Sequence, residues 1–245
     1  MIRRSLILLC ATVAFAAPTS APNSPSQLIA AMHDQYAKTW YHTLTFEQQS
    51  VTHKPDGTTS AETWYEAVSL PGRLRIAFRD KTGSNGAVFA KNHQYIFKDG
   101  KLVNDKDFVH PLLVLGFDVY AQPVETTVDE LKSLHIDLAT MHEENWQGRP
   151  TYVVGAKQGD THVTQFWIDK ERLYFVRLLE PDEKDPKSVQ DIRFDDYLQV
   201  AGGGWVAVHV AVYANDKLVF EEKYTDVQVN QALSDDLFDT AHFTR

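Results

Sequence analysis

The chain has 245 residues, with 33 acidic against 24 basic, a net charge of −9 and a single cysteine, Cys10. One cysteine excludes an internal disulfide and a cysteine-rich zinc site, and an acidic balance disfavours a nucleic-acid partner, whose phosphates require a basic face. With 43% hydrophobic and 11% aromatic residues, the sequence carries enough apolar matter for a folded core and is not a disordered polymer.

Met1-Ile2-Arg3-Arg4 supplies a short positive region, Ser5 to Phe15 is an apolar run, and Ala14-Phe15-Ala16 offers small residues before Pro/Ser/Thr-rich sequence. This pattern predicts a cleavable export signal over residues 1–16, then a linker over 17–25 and a single domain over 26–245. The run is well short of the ~20 apolar residues that span a bilayer. Leu9 stands where a lipoprotein signal wants a small residue before Cys10. Cleavage would remove Arg3, Arg4 and Cys10, leaving 33 acidic and 22 basic residues, a net −11, and no cysteine.

Ser24-Pro25-Ser26-Gln27 has the form of a helix-capping box, and Leu28, Met32, Tyr36 and Trp40 then recur every fourth residue, which predicts an amphipathic helix with an aromatic stripe. After Tyr41 the apolar period shortens to two. Leu44/Phe46, Trp64/Glu66/Val68 and Leu74/Ile76/Phe78 alternate with their neighbours, as do Tyr152/Val154, Phe166/Ile168, Leu173/Phe175, Phe194/Asp196/Leu198, Val206 to Val212 and Leu218/Phe220. Turn signals such as Pro55-Asp56-Gly57, Pro71-Gly72, Asp99-Gly100, Gly159-Asp160 and Asn215-Asp216 separate them, so about ten strands should pair antiparallel with their chain neighbours. Mid-chain, Pro111 opens the apolar block Leu112 to Phe117, and Thr126/Thr127 read as the cap of a second helix, Val128 to Leu134. The order predicts an α+β fold: a strongly curved antiparallel sheet with helices packed on one face.

No catalytic constellation emerges. There is no Gly-x-Ser-x-Gly, no phosphate-binding glycine loop and no paired-histidine metalloprotease motif, and Gly202-Gly203-Gly204 precedes a strand and so reads as a turn. The ten histidines are scattered without metal-ligand spacing, and Asp195-Asp196 and Asp235-Asp236 are adjacent pairs that point to opposite faces of a strand. The reading is therefore of no catalytic residue, metal or cofactor. The many aromatics on strand faces fit two arrangements, a sheet packed solid against its helices or one that encloses an apolar cavity.

Several local patterns resemble the periplasmic lipoprotein-carrier superfamily, the LolA-like outer-membrane lipoprotein-sorting proteins. Phe46-Glu47-Gln48 is similar to the family's Phe-x-Gln, Leu70-Pro71-Gly72-Arg73-Leu74-Arg75 to its Arg-Pro-Gly-x-x-Arg turn and strand, and Asp99-Gly100-Lys101 to its hairpin. Phe166-Trp167-Ile168-Asp169, Phe194-Asp195-Asp196-Tyr197 and Val227-Gln228-Val229-Asn230 with Leu237-Phe238 resemble its later segments, in the right order from about residue 26 to 243.

The resemblance implies an incomplete antiparallel β-barrel, closed by helices on its concave face, whose apolar cavity shields acyl chains. It assigns to that cavity Phe46, Trp64, Val68, Leu74, Ile76, Phe78, Phe166 and Ile168, with Pro111, Gly116 and Pro123 as lid or hinge positions. An acyl chain of ~16 carbons at ~0.8 kcal/mol per buried CH₂ carries about 13 kcal/mol of aversion to water, so it must be held inside a fold. One position departs from the family: the Arg before the Pro, which holds the lid of the sorting carriers closed, is Leu70 here, and Arg73 and Arg75 should point away from the cavity. The function expected is a non-enzymatic, monomeric carrier in the periplasm of a Gram-negative bacterium. It would bind a lipid or lipoprotein acyl chain, with a membrane protein as donor or acceptor and no nucleic acid. The alternative is a periplasmic sensor or regulatory domain on the same scaffold that acts through a protein partner, and a periplasmic enzyme without a recognisable motif is a third.

Overall fold

The computed structural model describes residues 21–81, 83–182, 185 and 187–243. The expected export signal, residues 1–16, and the start of the expected linker lie outside them.

The first helix, α1 (Pro25–Tyr36), begins as the capping pattern requires: the Gln27 amide donates to Ser24 Oγ at 3.4 Å, and the Asn23 amide donates to Gln27 Oε1 at 3.0 Å. It buries Leu28, Ile29, Met32 and Tyr36, and Trp40, just past the helix end, continues the stripe.

Six strands follow as a meander: β1 (Thr43–His53), β2 (Thr59–Ser69), β3 (Arg73–Phe78), β4 (Gly86–Ala90), β5 (His93–Lys98) and β6 (Lys101–Asp107). The chain then leaves the sheet for α2 (Pro111–Gly116), a 3-10 turn at Asp118–Tyr120 and α3 (Val124–Ser133). It returns as a second meander: β7 (Met141–Trp146), β8 (Arg149–Val154), β9 (Gln165–Asp169), β10 (Phe175–Pro181), β11 (Val189–Gln199), β12 (Trp205–Ala214) and β13 (Lys217–Val229). Every pairing is antiparallel, and all but one join chain neighbours; the exception, β1 with β13, welds the two meanders into one 13-stranded sheet in the order β6-β5-β4-β3-β2-β1-β13-β12-β11-β10-β9-β8-β7. Among the described residues β6 and β7 remain its two edges, so the sheet is an open half-barrel with its helices packed inside.

The strand count exceeds the expected ten because four strands lack a two-residue apolar rhythm. All five residues of β4 are buried, those of β6 are all exposed, and β5 and β7 mix polar and apolar positions. Leu173 belongs to a turn instead of a strand, with φ of 52°. α3 starts at Val124 with Pro123 at its N-cap, so Thr126 and Thr127 lie inside the first turns and do not cap. Thr127 is buried there and takes a hydrogen bond from Gln122 Nε2 at 3.0 Å.

The main core lies between the concave face and the helices. Trp40 stacks on Tyr120 at 3.8 Å between ring centroids, Tyr36 meets Tyr120 edge-on at 5.4 Å, and the Tyr120 hydroxyl accepts from the Phe175 amide at 2.9 Å. These contacts fasten α1 and the 3-10 turn to the second meander. A smaller core lies on the opposite face of β3 to β5, where Ala77, Val88, Ala90 and Phe97 are covered by Phe243 of the C-terminal segment. Arg73 and Arg75 emerge on this outer face, Arg73 over the Phe238 ring at 4.8 Å and Arg75 over the Phe243 ring at 3.8 Å.

Candidate functional site

The curved sheet and α2 enclose a cavity of about 90 Å³. Its floor is apolar: Phe46 from β1, Val68 from β2, Leu74 and Ile76 from β3 and Phe194 from β11. Its roof is Leu112, Leu113 and Phe117 on and after α2, with His110 at the helix start. The cross-strand register brings the floor together, since Val68 pairs with Leu74 and Glu66 faces both Phe46 and Ile76.

Four of the eight residues assigned to a cavity from sequence, Phe46, Val68, Leu74 and Ile76, therefore share one wall. Trp64 and Phe78 pair across β2 and β3 where β3 ends, outside this wall and beside an open cleft lined also by Glu62, Arg79, Asp80, Gly83, Ser84 and Asn85. There the Trp64 indole donates to Glu62 Oε2 at 3.2 Å. Phe166 and Ile168 are fully buried on β9, opposite Leu178 and Phe175 of β10, in the packed half of the core. Of the hinge positions, Pro111 opens α2, Gly116 closes it, and Pro123 is the N-cap of α3. A Cβ at Gly116 would lie 3.4 Å from the Phe194 ring, an ordinary van der Waals contact, so the end of α2 packs against β11.

The cavity also holds two carboxyls: Glu66, which the alternation Trp64/Glu66/Val68 contained without marking a site, and Glu222, which the sequence reading did not single out. Glu66 stands between Trp64 and Val68, and Glu222 between Phe220 and Tyr224, each a charged residue at an inward position of an otherwise apolar strand face. A polar residue in phase with the buried positions was the signal available. Tyr224 donates its hydroxyl to Glu222 Oε2 at 2.6 Å and stacks on Phe46 at 4.0 Å. Burial, and for Glu66 also the neighbouring Glu222 charge, raises both carboxyls, Glu66 well above the ordinary range and Glu222 to about 7. Burial likewise lowers His110 to about 4, leaving a neutral imidazole at physiological pH. Its Nδ1 faces the Leu113 amide at 3.4 Å and caps α2. The shifts towards the neutral forms of Glu66 and His110 suit an apolar occupant.

What ties the helical segment to the β2–β3 turn is Asp118. Its carboxylate accepts the Gly72 amide at 2.8 Å, while Leu70, where the carriers have Arg, packs half-buried against the main core. Asp118 is 2% exposed, and burial raises its pKa to about 7 against the lowering effect of the Gly72 bond.

No protein-family model matches the sequence, and none of the curated proteins matches it. Solved structures do share the fold. A DUF1329 family protein from Desulfovibrio piger is 15% identical over 88% of this chain and 95% of its own, with a TM-score of 0.53. A LolA superfamily protein from Nitrosomonas europaea is 10% identical over 86% of this chain and 97% of its own, with a TM-score of 0.54. An outer-membrane lipoprotein-sorting protein domain from Vibrio parahaemolyticus is 13% identical over 90% of this chain and 97% of its own, also at 0.54. The chain thus has the LolA-like fold, as its sequence patterns led one to expect.

Proposed function

We propose that this protein is a non-enzymatic periplasmic carrier that binds a lipid or lipoprotein acyl chain between the concave face of its half-barrel and α2. The observation that carries the reading is the cavity itself: apolar floor residues from four strands, an apolar roof on one short helix, and Glu66 and His110 shifted towards their neutral forms. Lipoprotein sorting by a structural neighbour of this fold is in keeping with it. At about 90 Å³ the cavity is smaller than the ~300–1,000 Å³ of ordinary ligand pockets, so an acyl chain enters only as α2 withdraws. That helix has six residues between Pro111 and Gly116, a length that has little stability apart from its packing. Loading would then follow a shift between closed and open positions of residues 111–134.

Titration of delipidated protein with a fluorescent fatty acid, together with native mass spectrometry of freshly purified material, tests the reading. Saturable one-to-one binding or a co-purifying lipid is expected. No saturable binding and no lipid would overturn it, and co-purification of an inner-membrane protein without lipid would favour a regulatory role.

A further inference from the structure

A second cleft, of about 450 Å³, lies in the second meander and shares no lining residue with the cavity under α2. It is bounded by the β7–β8 turn, the β9–β10 turn, and Tyr197 and Trp205 on either side of the β11–β12 turn. Its volume falls within the ~300–1,000 Å³ of ordinary ligand pockets. The first two turns are fastened to each other, since the Lys170 amide donates to the Pro150 carbonyl at 3.0 Å. Asp169 Oδ1 accepts the Glu171 and Arg172 amides at 2.9 and 2.8 Å, and the Tyr36 hydroxyl of α1 donates to the Arg172 carbonyl. Arg149 and Arg172, one beside each turn, are thus carried on a fixed frame.

Three donors stand in this cleft without an acceptor. Neither Arg149 nor Arg172 forms an ion pair or a side-chain hydrogen bond among the described residues. The Arg172 guanidinium lies over the Trp205 ring at 4.5 Å, a contact that fixes its plane and leaves the N–H groups on its edge to bond elsewhere. Tyr174 is 5% exposed and stacks on Tyr197 at 3.8 Å, yet its hydroxyl has no hydrogen-bond partner among the described residues. Burial and the charges of Asp169 and Asp195 raise its pKa against the lowering effect of Arg149 and Arg172, so the hydroxyl stays protonated and is a donor. A polar group this buried and unpartnered marks a place where a partner is missing. The carboxylates of the cleft pair with neither guanidinium: Asp169 has Oδ1 on the loop amides and Oδ2 without a donor, and Glu171 is exposed.

We propose that this cleft binds a polyol phosphate monoester, whose phosphate oxygens accept from Arg149, Arg172 and the Tyr174 hydroxyl while a hydroxyl of the polyol donates to Asp169 Oδ2. The inference goes beyond the carrier reading and does not rest on it. Two guanidinium forks and a phenol call for three acceptor oxygens. A carboxylate has two, which a single fork fills, whereas a phosphate monoester has three and a charge of about −2 to set against two guanidiniums. The polyol hydroxyl supplies the donor that Asp169 lacks. The ester could be a free solute or the head of a lysolipid, and both present the same chemistry to the cleft.

The test is calorimetric titration of the full mature chain at pH 7.5 and low salt with sn-glycerol 3-phosphate, glycerate, glycerol and hexanoyl lysophosphatidate. Glycerol 3-phosphate should bind one-to-one, about tenfold or more tighter than glycerate, with no binding of glycerol. Arg149→Ala and Arg172→Ala, at part-exposed and exposed positions, should keep the unfolding temperature and each weaken binding about tenfold or more. Tyr174→Phe should weaken it several-fold. Tighter binding of the lysophosphatidate, lost in Arg149→Ala, assigns the cleft to a lipid head; equal or weaker binding assigns it to the free ester. The proposal is overturned if neither ester binds saturably, if glycerate binds as tightly as glycerol 3-phosphate, or if both Arg variants keep the native affinity. Fatty-acid titration of the same preparations reports on the carrier reading separately.

Discussion

Asp118 and Gly72 are joined by a 2.8 Å hydrogen bond from the Gly72 amide to the Asp118 carboxylate, the link between the helical segment and the β2–β3 turn. The amide belongs to a turn whose Gly72 has φ of +80°, and the carboxylate sits in the 3-10 turn after α2. One short bond thus couples the roof of the cavity to its floor.

Replacing Asp118 by Ala should lower stability by ~1–3 kcal/mol, because the half-buried Gly72 amide loses its charged acceptor. Asp118→Asn keeps an acceptor oxygen and should behave differently with pH. The native carboxyl has its pKa raised from 3.8 to about 7, so the folded chain holds a proton that the unfolded chain has lost between those values. Its contribution is therefore fully present below about pH 4 and is lost as pH rises towards 7. Urea denaturation at pH 5 and pH 8 should show the Asn variant gaining on the native protein at the higher pH.

Gly86→Ala should destabilise the sheet by at least ~1–3 kcal/mol, the range of overpacking. An added Cβ would stand 2.1 Å from the Ile76 carbonyl oxygen and 2.3 Å from the Phe243 ring. The ring could move aside, but the carbonyl is fixed in the β3–β4 ladder. Thermal unfolding of the variant measures the loss, and a shift of less than a degree would count against this packing.

Phe243→Ala removes the cover from the smaller core and from the Arg75 guanidinium. The ring is 5% exposed, and a loss of ~3 kcal/mol, the low end for Phe→Ala, is expected. Acyl-chain binding should be unchanged, since this core lies on the other face of the sheet. Chemical denaturation and fatty-acid titration on one preparation separate the two effects.

Val68→Phe places a larger side chain in the cavity from a residue that is 1% exposed. On the carrier reading, fatty-acid affinity should fall at least tenfold, about 1.4 kcal/mol, with a stability cost of ~1–3 kcal/mol from overpacking. Unchanged affinity would move the binding site away from β2.

The sequence by itself determined the antiparallel pairing, the capped first helix and the inward face of Leu74 and Ile76. Each of these is local: Ser24 caps three residues away, and a two-residue apolar period assigns a strand face without reference to any partner. The same rule sent Arg73 and Arg75 outward, where they lie. It left β6 unread because an edge strand exposed on both faces has no apolar rhythm. What only the tertiary structure decided is which inward residues meet. Trp64 and Val68 share a strand face, yet one borders an open cleft where β3 ends and the other lies under α2. Phe166 and Ile168 have the same alternation as Leu74 and Ile76, and they are fully buried in the main core. Glu66 and Glu222 are 156 positions apart in the chain and reach one cavity because β1, the strand that pairs with β2, also pairs with β13. Periodicity reports which side of a strand is apolar; how far the opposing layer stands from it depends on distant segments, and that distance separates a cavity from a packed core.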